Sequence, residues 1–535
     1  MAGRTTPWTT ILVSIMATQA SAITFLSAPG LAYAEGMGFV QFYFGLPLAM
    51  VALATIAVPI YHRLQVYTAY EYLEARFDLK TRSLATALFL ASRGVSTGIS
   101  IYATSIVLSV LLGWNVALTN LVIGGAVVVY TTTGGSRAVN WTQSWQFLVA
   151  TGGLALAFVV IVFSLPPGVS LLDALHVAGR AGRLKAVDWT FDLSSRYNVW
   201  SGLIGGFFLA LSYFGTDQSQ VGRYLGGRTA GESRLGLLFN GLLKVPMQAF
   251  ILLVGVMVFV FYQFSPPPLF FNPVPLEKIR SGPHAAQLSE IAARHQAAFE
   301  ARREATNAFL AARAEGNAPR VEAAEGELSR SGARFAAVRT EVLALVRKDG
   351  GETNDTNYVF LAFVLRHLPA GIVGLVVAVV FSAAMSSIAA ALQSLASTSV
   401  VDVYGRLVRK GRTDAHYVRV GRLATVFWGF VAIAVAMYAS RLGTLIEAVN
   451  ILGSLVYGTI LGIFLVAFLI PSVRGTAVFV AALVSEALVL VCWQATALEY
   501  LWYNVVGCLA VVVLSLAMPR RGAPRTSPTS PSSPS

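Results

Sequence analysis

Apolar residues form long runs that alternate with short polar segments along nearly the whole chain. An α-helix needs about 20 consecutive, mostly apolar residues to cross the hydrocarbon core of a bilayer. The pattern therefore predicts an all-α polytopic membrane protein. We expect about 12 transmembrane helices, which start near residues 9, 39, 84, 117, 142, 198, 238, 360, 417, 444, 472 and 497.

Composition supports this class and excludes others. The 535 residues are 56% hydrophobic and 12% charged, which does not fit a single soluble domain with a polar surface. The first apolar run lacks a cleavage-site pattern and continues past signal-peptide length, so we expect it to be retained as a helix. Metalloprotease and Walker-type motifs do not occur in the sequence. The two cysteines, Cys492 and Cys508, have neither metal-binding nor redox spacing. We therefore expect that the protein is not an enzyme.

The formal net charge of +13 is spread among the loops and does not form one basic face. The positive-inside rule explains this distribution better than nucleic-acid binding does. The loop after the second helix carries Arg63, Arg76, Lys80 and Arg82 and is predicted to be cytoplasmic. With twelve helices, the later basic clusters fall on the same side. We expect a multi-pass protein of the plasma (inner) membrane with cytoplasmic N- and C-termini, no nucleic-acid partner and no obligate protein partner.

Two segments fall outside the apolar pattern. In residues 264–358, apolar side chains recur at helical spacing in two sets separated by a turn sequence at 316–319. This predicts an extracytoplasmic loop with a helical hairpin, inserted between the seventh and eighth transmembrane helices. The last residues, 520–535, are rich in Ser, Pro and Arg and are predicted to be a disordered cytoplasmic tail.

The eighth apolar run, Val376 to Tyr404, has small and hydroxyl-bearing residues where leucines would be expected. Ala383, Ser386 and Ser387 are spaced i, i+3 and i+4 and share one helix face. A carbonyl and two hydroxyls on that face would offer neutral oxygens to a small hard cation such as sodium. The alternative is that these small residues only allow close helix packing.

The first and sixth helices are both interrupted by small or polar residues. In helix one, Trp8 to Tyr33, these cluster around 17–22, and Pro29-Gly30 lies near the far end; in helix six they are the glycines at 202, 205 and 206. Interruptions at corresponding places in two halves of a membrane protein indicate a transporter binding site. For helix one, a continuous and closely packed helix is the alternative.

Ionisable residues within apolar helices are functional candidates. Lys244 lies about six residues inside helix seven, where it either serves the site or extends its ammonium group to the interface. Asp217 and Arg223, at the inner end of helix six, are predicted to form a local polar cluster or gate. Glu486 in helix eleven has no partner that the sequence identifies.

Several motifs resemble the sodium:solute symporter family. They are S-A-A-M-S-S-x5-Q-S-x7-D-x-Y from Ser382 to Tyr404, G-T-D-Q-x4-R-Y from Gly215 to Tyr224, and Ser21-Ala-Ile-Thr-Phe25 in helix one. The resemblance extends from residue 7 to about 470. It implies a LeuT-type core at 1–470, with inverted five-helix repeats at 9–164 and 198–470, followed by two accessory C-terminal helices at 471–519.

The same resemblance implies a sodium site between helices one and eight. Its ligands would be the carbonyls and hydroxyls of Ala17, Ala20, Ala383, Ser386 and Ser387. Many family members carry an aspartate near the inner end of helix five, where this chain has Gln143. This departure leaves proton coupling open as an alternative to sodium.

The solute site resembles the family less closely. The residues that a sugar-carrying branch uses are replaced near Tyr43, Ala210 and Val449, so a galactose-type site is not expected. The Ala28-Pro29-Gly30 element is nearer to the iodide, carboxylate and vitamin carriers. The resulting candidate solute contacts are Thr24, Tyr43, Tyr213, Lys244, Asn450 and Ser454.

These features together predict a secondary active transporter that lies in the lipid bilayer. It would import a small organic solute or anion with sodium by alternating access. The alternatives are a proton-coupled symporter of the same fold, a sensor or receptor built on a transporter scaffold, and a channel. A sensor would need an output domain, and only about 16 residues follow Pro519.

Overall fold

The computed structural model describes residues 6–19, 21–64, 68–409 and 411–518. Within these ranges, the side chains at 22, 64, 134–144, 146 and 379 are outside the description. All regular elements of the described residues are helices, apart from an isolated bridge between Thr6 and Gly227. The fold class predicted from the apolar pattern is therefore confirmed. The predicted tail at 520–535 lies outside the described residues.

The first half of the chain supplies eight α-helices. A 3-10 segment, Met37–Tyr43, precedes α3, and a π turn, Leu53–Ala57, joins α3 to α4. The α-helices are α1 Trp8–Gln19, α2 Ala22–Glu35, α3 Leu46–Ala52, α4 Val58–Leu64, α5 Ala69–Arg76, α6 Leu79–Leu112, α7 Val116–Phe163 and α8 Leu171–Arg180.

The second half supplies twelve more. A π turn at Ser201–Gly205 leads into α9, and a π-helical segment at Ser399–Val408 extends α16. The helices are α9 Gly206–Thr216, α10 Gln218–Tyr224, α11 Ala230–Phe264, α12 Pro273–Arg280, α13 Ala285–Ala314, α14 Ala318–Lys348, α15 Val359–His367, α16 Ala370–Thr398, α17 Asp414–Tyr438, α18 Leu445–Leu469, α19 Gly475–Ala495 and α20 Tyr500–Ala517.

By length and composition, the spans are fewer than the twelve that the sequence pattern predicts. Nine helices of the described chain are long and apolar enough to cross a membrane, and the bent pair α1 and α2 makes a tenth. Two shorter apolar helices, Phe147–Phe163 and Ser201–Thr216, lie where the fifth and sixth spans are predicted. All twelve predicted runs fall on apolar helices, but the fourth and fifth both fall in α7.

Two predicted helix starts are wrong. The start near 142 is not seen, because α7 continues for 48 residues; paired glycines weaken a helix without necessarily ending it. A helix of that length would measure about 72 Å, more than twice the thickness of the hydrocarbon core. The start near 360 moves to Ala370, because the chain breaks at Leu368 and Pro369 and Pro369 becomes the N-cap of α16.

The segment between α11 and α15 contains a pair of long helices, α13 and α14, joined by a turn at Gly316, whose φ is +69°. Their packed faces include the buried Leu288, Phe299 and Phe335. The guanidinium of Arg302 stacks 3.8 Å from the ring centre of Phe335 and donates a 2.6 Å hydrogen bond to the Tyr262 carbonyl. The hairpin is thereby attached to the end of α11. Its location outside the bilayer remains a prediction.

Candidate functional site

A cavity of about 170 Å³ lies where the broken helix one meets α6, α9, α11, α16 and α18. Its wall combines aromatic rings with hydroxyl, amide and cationic side chains. Mixed walls of this kind are typical of sites that bind a small polar molecule. The polar and aromatic residues that line it are Thr18, Gln19, Ser21, Thr24, Phe42, Tyr43, Arg93, Ser96, Thr97, Ser100, Tyr213, Phe214, Ser219, Lys244, Ser387, Asn450 and Tyr457.

Helix one is broken as the sequence predicts. α1 ends at Gln19, the next helix begins at Ala22, and their axes differ by 58°. The Thr24 hydroxyl donates to the Gln19 carbonyl at 2.7 Å and so bridges the break. Ser21, the N-cap of α2, makes no side-chain capping bond. The hydroxyl-bearing residues around the break, Thr18, Ser21 and Thr24, all border the cavity.

Helix six is also broken, but not at its glycines. A Cβ atom at Gly202 would lie 1.9 Å from the Gln41 carbonyl oxygen, and one at Gly206 would lie 2.5 Å from that of Phe42. These glycines therefore permit close packing on helix two, and the helix is distorted there by the π turn Ser201–Gly205 without being broken. The break is at Asp217, whose extended backbone separates α9 from α10.

α11 carries three buried polar side chains that are spaced four residues apart and therefore share one helix face. At one end of this stripe, Gln19 donates to the Asn240 side-chain oxygen at 3.1 Å. Farther along α11, Gly255 packs on Pro29, since a Cβ atom added to Gly255 would lie 2.1 Å from the Pro29 carbonyl oxygen. α11 thus contacts helix one on both sides of its break, and the three polar side chains belong to the part of α11 that runs past the break. The three are Asn240, Lys244 and Gln248, and both amide atoms of Gln248 lack a partner among the described residues.

Lys244 is only 1% exposed and lies in the cavity wall. Its ammonium nitrogen is 5.4 Å from the ring centre of Tyr43. Across the described chain, no carboxylate forms an ion pair with it. Because its ammonium group is enclosed by protein, the alternative in which Lys244 extends to the membrane interface is wrong.

Arg93 is a cavity residue that the sequence interpretation missed. It projects from α6 and forms an ion pair with Asp217, whose side chain is 1% exposed. The Tyr457 hydroxyl lies 3.3 Å from the same carboxylate and 3.4 Å from the guanidinium. An arginine 14 residues into a 34-residue apolar helix is a signal that could have identified it, since intramembrane charges are functional candidates.

Asp217 and Arg223 have different partners. Asp217 also accepts hydrogen bonds from the Ser219 backbone N–H at 2.9 Å and from its hydroxyl at 2.6 Å. Arg223 donates to the Ser219 carbonyl at 3.1 Å and to the hydroxyl of Ser14 on α1. The predicted polar cluster therefore exists, and it joins helix six to both α1 and α6.

The predicted sodium residues lie where α1 packs on α16. Ala17, Ala383 and Ser386 are buried, with exposed fractions of 5%, 4% and 2%. The Ser386 hydroxyl donates to the Ala383 carbonyl and the Ser387 hydroxyl to that of Ala384, each at 3.1 Å. A hydroxyl oxygen has two lone pairs, and such oxygens can serve as ligands to a cation. Ala20 lies outside the described residues, as does the side chain of Gln143.

Five of the six predicted solute contacts line one cavity: Thr24, Tyr43, Tyr213, Lys244 and Asn450. The sixth, Ser454, does not line it. Its side chain is fully buried and accepts a 2.9 Å hydrogen bond from Asn504 of α20. Although Ser454 follows Asn450 by one helical turn, this part of α18 packs against the accessory helix. Ser387 borders the cavity as well, so the predicted ion and solute residues adjoin each other.

Two broken helices around a cavity of mixed polar and aromatic lining, within a bundle of apolar helices, define a secondary membrane transporter. The model of the sodium:solute symporter family matches residues 1–178 and 335–484, which is more than half of the chain. The chain belongs to that family, as its motifs predict. It is a sodium-coupled transporter and not an enzyme.

Individual relatives agree with this assignment. The sodium/sialic acid symporter SiaT of Proteus mirabilis (strain HI4320) is 24% identical over 509 residues, which are 94% of this chain and 85% of the relative. The human sodium/iodide cotransporter is 34% identical over 254 residues, 47% of this chain and 38% of that one. The sodium-coupled monocarboxylate transporter 1 of Xenopus laevis is 23% identical over 475 residues, 89% and 63% of the two chains.

The fold has a solved counterpart. The structure of a Na+-coupled sialic acid symporter, in a substrate-bound outward-open state, superposes with a TM-score of 0.72 at 23% identity. The match covers 96% of this chain and 89% of that one. The predicted transporter architecture is confirmed on this ground.

Proposed function

We propose that this protein imports a small organic carboxylate together with sodium. The transport would run into the cytoplasm across the plasma (inner) membrane, with both chain termini on the cytoplasmic side. The observation that carries the proposal is the amine of Lys244, which is buried in the cavity wall without an ion-pair partner among the described residues.

The charge balance of the cavity supports an anionic solute. It contains two cations, but Arg93 already has a counter-charge in Asp217. Lys244 lies against the face of Tyr43 and has no carboxylate ion-pair partner in the described part of the chain. Removing an ammonium from water costs several kcal/mol unless a charge and hydrogen bonds compensate it. A carboxylate would supply both in one charge-assisted contact.

The relatives support the same solute chemistry. Their names specify sialic acid, iodide and monocarboxylates, which are all carried as anions at neutral pH. A carboxylate near Lys244 would also adjoin Ser21, Thr24, Tyr43 and Asn450. These side chains would hydrogen-bond or cover the rest of the solute.

Sodium would bind between α1 and α16, held by the oxygens of Ala17, Ala20, Ala383, Ser386 and Ser387. The donor set fits this ion, because neutral carbonyl and hydroxyl oxygens suit small hard cations. Ser387 belongs to this set and also borders the cavity. Solute and sodium would therefore order the same turn of α16, which provides a route for their coupling. Tyr213 would act at the inner gate.

Uptake into proteoliposomes tests the proposal. Labelled lactate, pyruvate, nicotinate and N-acetylneuraminate serve as probes under an inward sodium gradient, and the amide of each transported acid serves as its uncharged counterpart. We expect uptake of at least one acid and no uptake of its amide. Lys244→Gln should raise the KM for the acid at least tenfold, whereas Lys185→Gln, a change in an exposed loop, should leave it unchanged. Equal transport of acid and amide, or no acid transported, contradicts the proposal.

A further inference from the structure

Arg93 has binding capacity that its present contacts do not use. Its guanidinium borders the cavity and bonds to Asp217 and Tyr457 through one terminal nitrogen. The Nε–H is buried and lacks a hydrogen-bond partner among the described residues. A guanidinium offers five donors in a planar fork that matches a carboxylate. This donor is not used by the protein, and a rotation of the guanidinium toward the cavity would bring it to a ligand.

Asp217 does not depend on Arg93 alone. It accepts two hydrogen bonds from Ser219, at 2.9 and 2.6 Å, and one from the Tyr457 hydroxyl at 3.3 Å. If the guanidinium turned away, these three donors would still satisfy the carboxylate. The ion pair between Arg93 and Asp217 can therefore be exchanged without leaving a bare charge on Asp217.

The ion pair also joins two structural elements. Arg93 belongs to α6, whereas Asp217 forms the break of helix six. The guanidinium lies 5.5 Å from the ring centre of Tyr213, whose hydroxyl accepts a 2.7 Å hydrogen bond from Gln220. Breaking the ion pair would release the break of helix six from α6, directly beside the residue predicted to act at the inner gate.

We propose that Arg93 is a second anion contact of the transport cavity, which exchanges Asp217 for the carboxylate of the solute. This inference rests on the proposed function. The carboxylate first meets Lys244 and then the guanidinium of Arg93. As Arg93 turns to the solute, Asp217 is left with Ser219 and Tyr457, and helix six is free to move. Solute arrival is thereby linked to opening toward the inner side.

Hydroxyl-bearing residues of α6 beside Arg93 fit this path. Ser96, Thr97 and Ser100 follow Arg93 on the same face of α6 and border the cavity. Their hydroxyls donate to the carbonyls four residues earlier, at 2.9, 2.6 and 3.0 Å. The hydroxyl oxygens remain able to accept hydrogen bonds from a polar solute.

Kinetics of four variants test the exchange, with the labelled acid that the wild type transports as the probe. Arg93→Gln should raise its KM at least tenfold. Asp217→Asn should lower KM, because Arg93 is then free for the solute. The same variant should lower the maximal rate, because the solute leaves Arg93 more slowly when no carboxylate replaces it. The double variant Arg93→Gln with Asp217→Asn should keep the high KM. Arg330→Gln, on the exposed face of α14, is the matched control and should behave as wild type.

A purely structural ion pair predicts a different pattern. Each single variant would then be impaired by an unpaired buried group, and the neutral double variant would recover the wild-type KM. That recovery, or a raised KM for Asp217→Asn, overturns the inference. If Arg93→Gln does not fold, Arg93→Lys keeps the charge and loses the planar fork; it should still raise KM, and an unchanged KM overturns the proposal.

Failure of this inference and failure of the proposed function are distinguishable. If the wild type transports the acid and not its amide while the Arg93 variants keep the wild-type KM, only the exchange is wrong. If the wild type does not distinguish acid from amide, the proposed function fails first.

Discussion

Removing the hydroxyls of Ser386 and Ser387 should weaken sodium binding without unfolding the protein. The double variant Ser386→Ala with Ser387→Ala deletes two of the five proposed sodium ligands. A polar contact to a charged group contributes about 1.5–3 kcal/mol, so the loss of two should cost at least about 3 kcal/mol. Since about 1.4 kcal/mol is a factor of ten, sodium affinity should fall at least a hundredfold.

The effect on folding should be small. Each hydroxyl makes a 3.1 Å hydrogen bond to a carbonyl of its own helix, which is worth about 0.5–1.5 kcal/mol net. Alanine recovers part of this through its higher helix propensity. The matched control is Ser394→Ala with Ser397→Ala, on the same helix, because these hydroxyls also bond to the carbonyls three residues earlier, at 2.8 and 3.1 Å.

Intrinsic tryptophan fluorescence of purified protein, titrated with sodium against a potassium control, measures the affinity, and thermal unfolding without sodium measures stability. The control variant should bind sodium as wild type does. An unchanged sodium affinity in the Ser386 and Ser387 variant, or an equal loss in the control, would refute the site.

Three further predictions concern energetics and stability. One sodium carried with one monovalent anion moves no net charge. A potassium-diffusion potential of 100 mV should therefore leave the ratio of internal to external solute unchanged, whereas a cycle that moves one net charge would change this ratio about fortyfold. Burial, reinforced by Arg302 and Arg339, lowers the pKa of His295 from 6.5 to about 4. Between these two pH values only the unfolded state is protonated, so His295 should destabilise the hairpin by about 1.4 kcal/mol at pH 5.5 and have little effect well above pH 6.5. The melting temperature of His295→Gln should therefore depend less on pH than that of the wild type. The same pH dependence in both proteins would contradict the lowered pKa of His295. Gly255→Ala should lower thermal stability, because its Cβ would meet the Pro29 carbonyl oxygen at 2.1 Å, whereas Gly332→Ala, which has open space, should not.

Much of the fold follows from local patterns that the sequence contains. Apolar run length indicates each span, and the small residues around 17–22 indicate the break in helix one. The glycines of helix six were misinterpreted, because a glycine that admits a neighbouring backbone has the same appearance in the sequence as one that interrupts a helix. The actual break is at Asp217, whose side chain caps the N-terminus of α10. An aspartate that caps a new helix cannot be told in the sequence from one inside a continuous helix, so the extended backbone is needed to locate the break.

The site was less accessible to sequence reasoning. Thr24, Tyr43, Tyr213, Lys244 and Asn450 meet at one cavity, and their prediction depended on family motifs. The ion pair between Arg93 and Asp217 joins residues 124 positions apart, and no local spacing indicates such a pairing. Ser454 shows the opposite limit of sequence reasoning. It lies one helical turn after the cavity residue Asn450, yet its side chain contacts Asn504 of α20 instead of the cavity.

Sodium and a carboxylate should cross the membrane in one coupled event. Proteoliposomes incubated in parallel with external ²²Na⁺ and an external ¹⁴C-labelled transported acid test this coupling, with the amide of that acid as control. We expect that the acid, and not the amide, stimulates sodium entry at a constant ratio, and that Lys244→Gln shifts both fluxes to higher acid concentration. Acid uptake that proceeds equally in potassium, without entry of labelled sodium, would contradict this coupling.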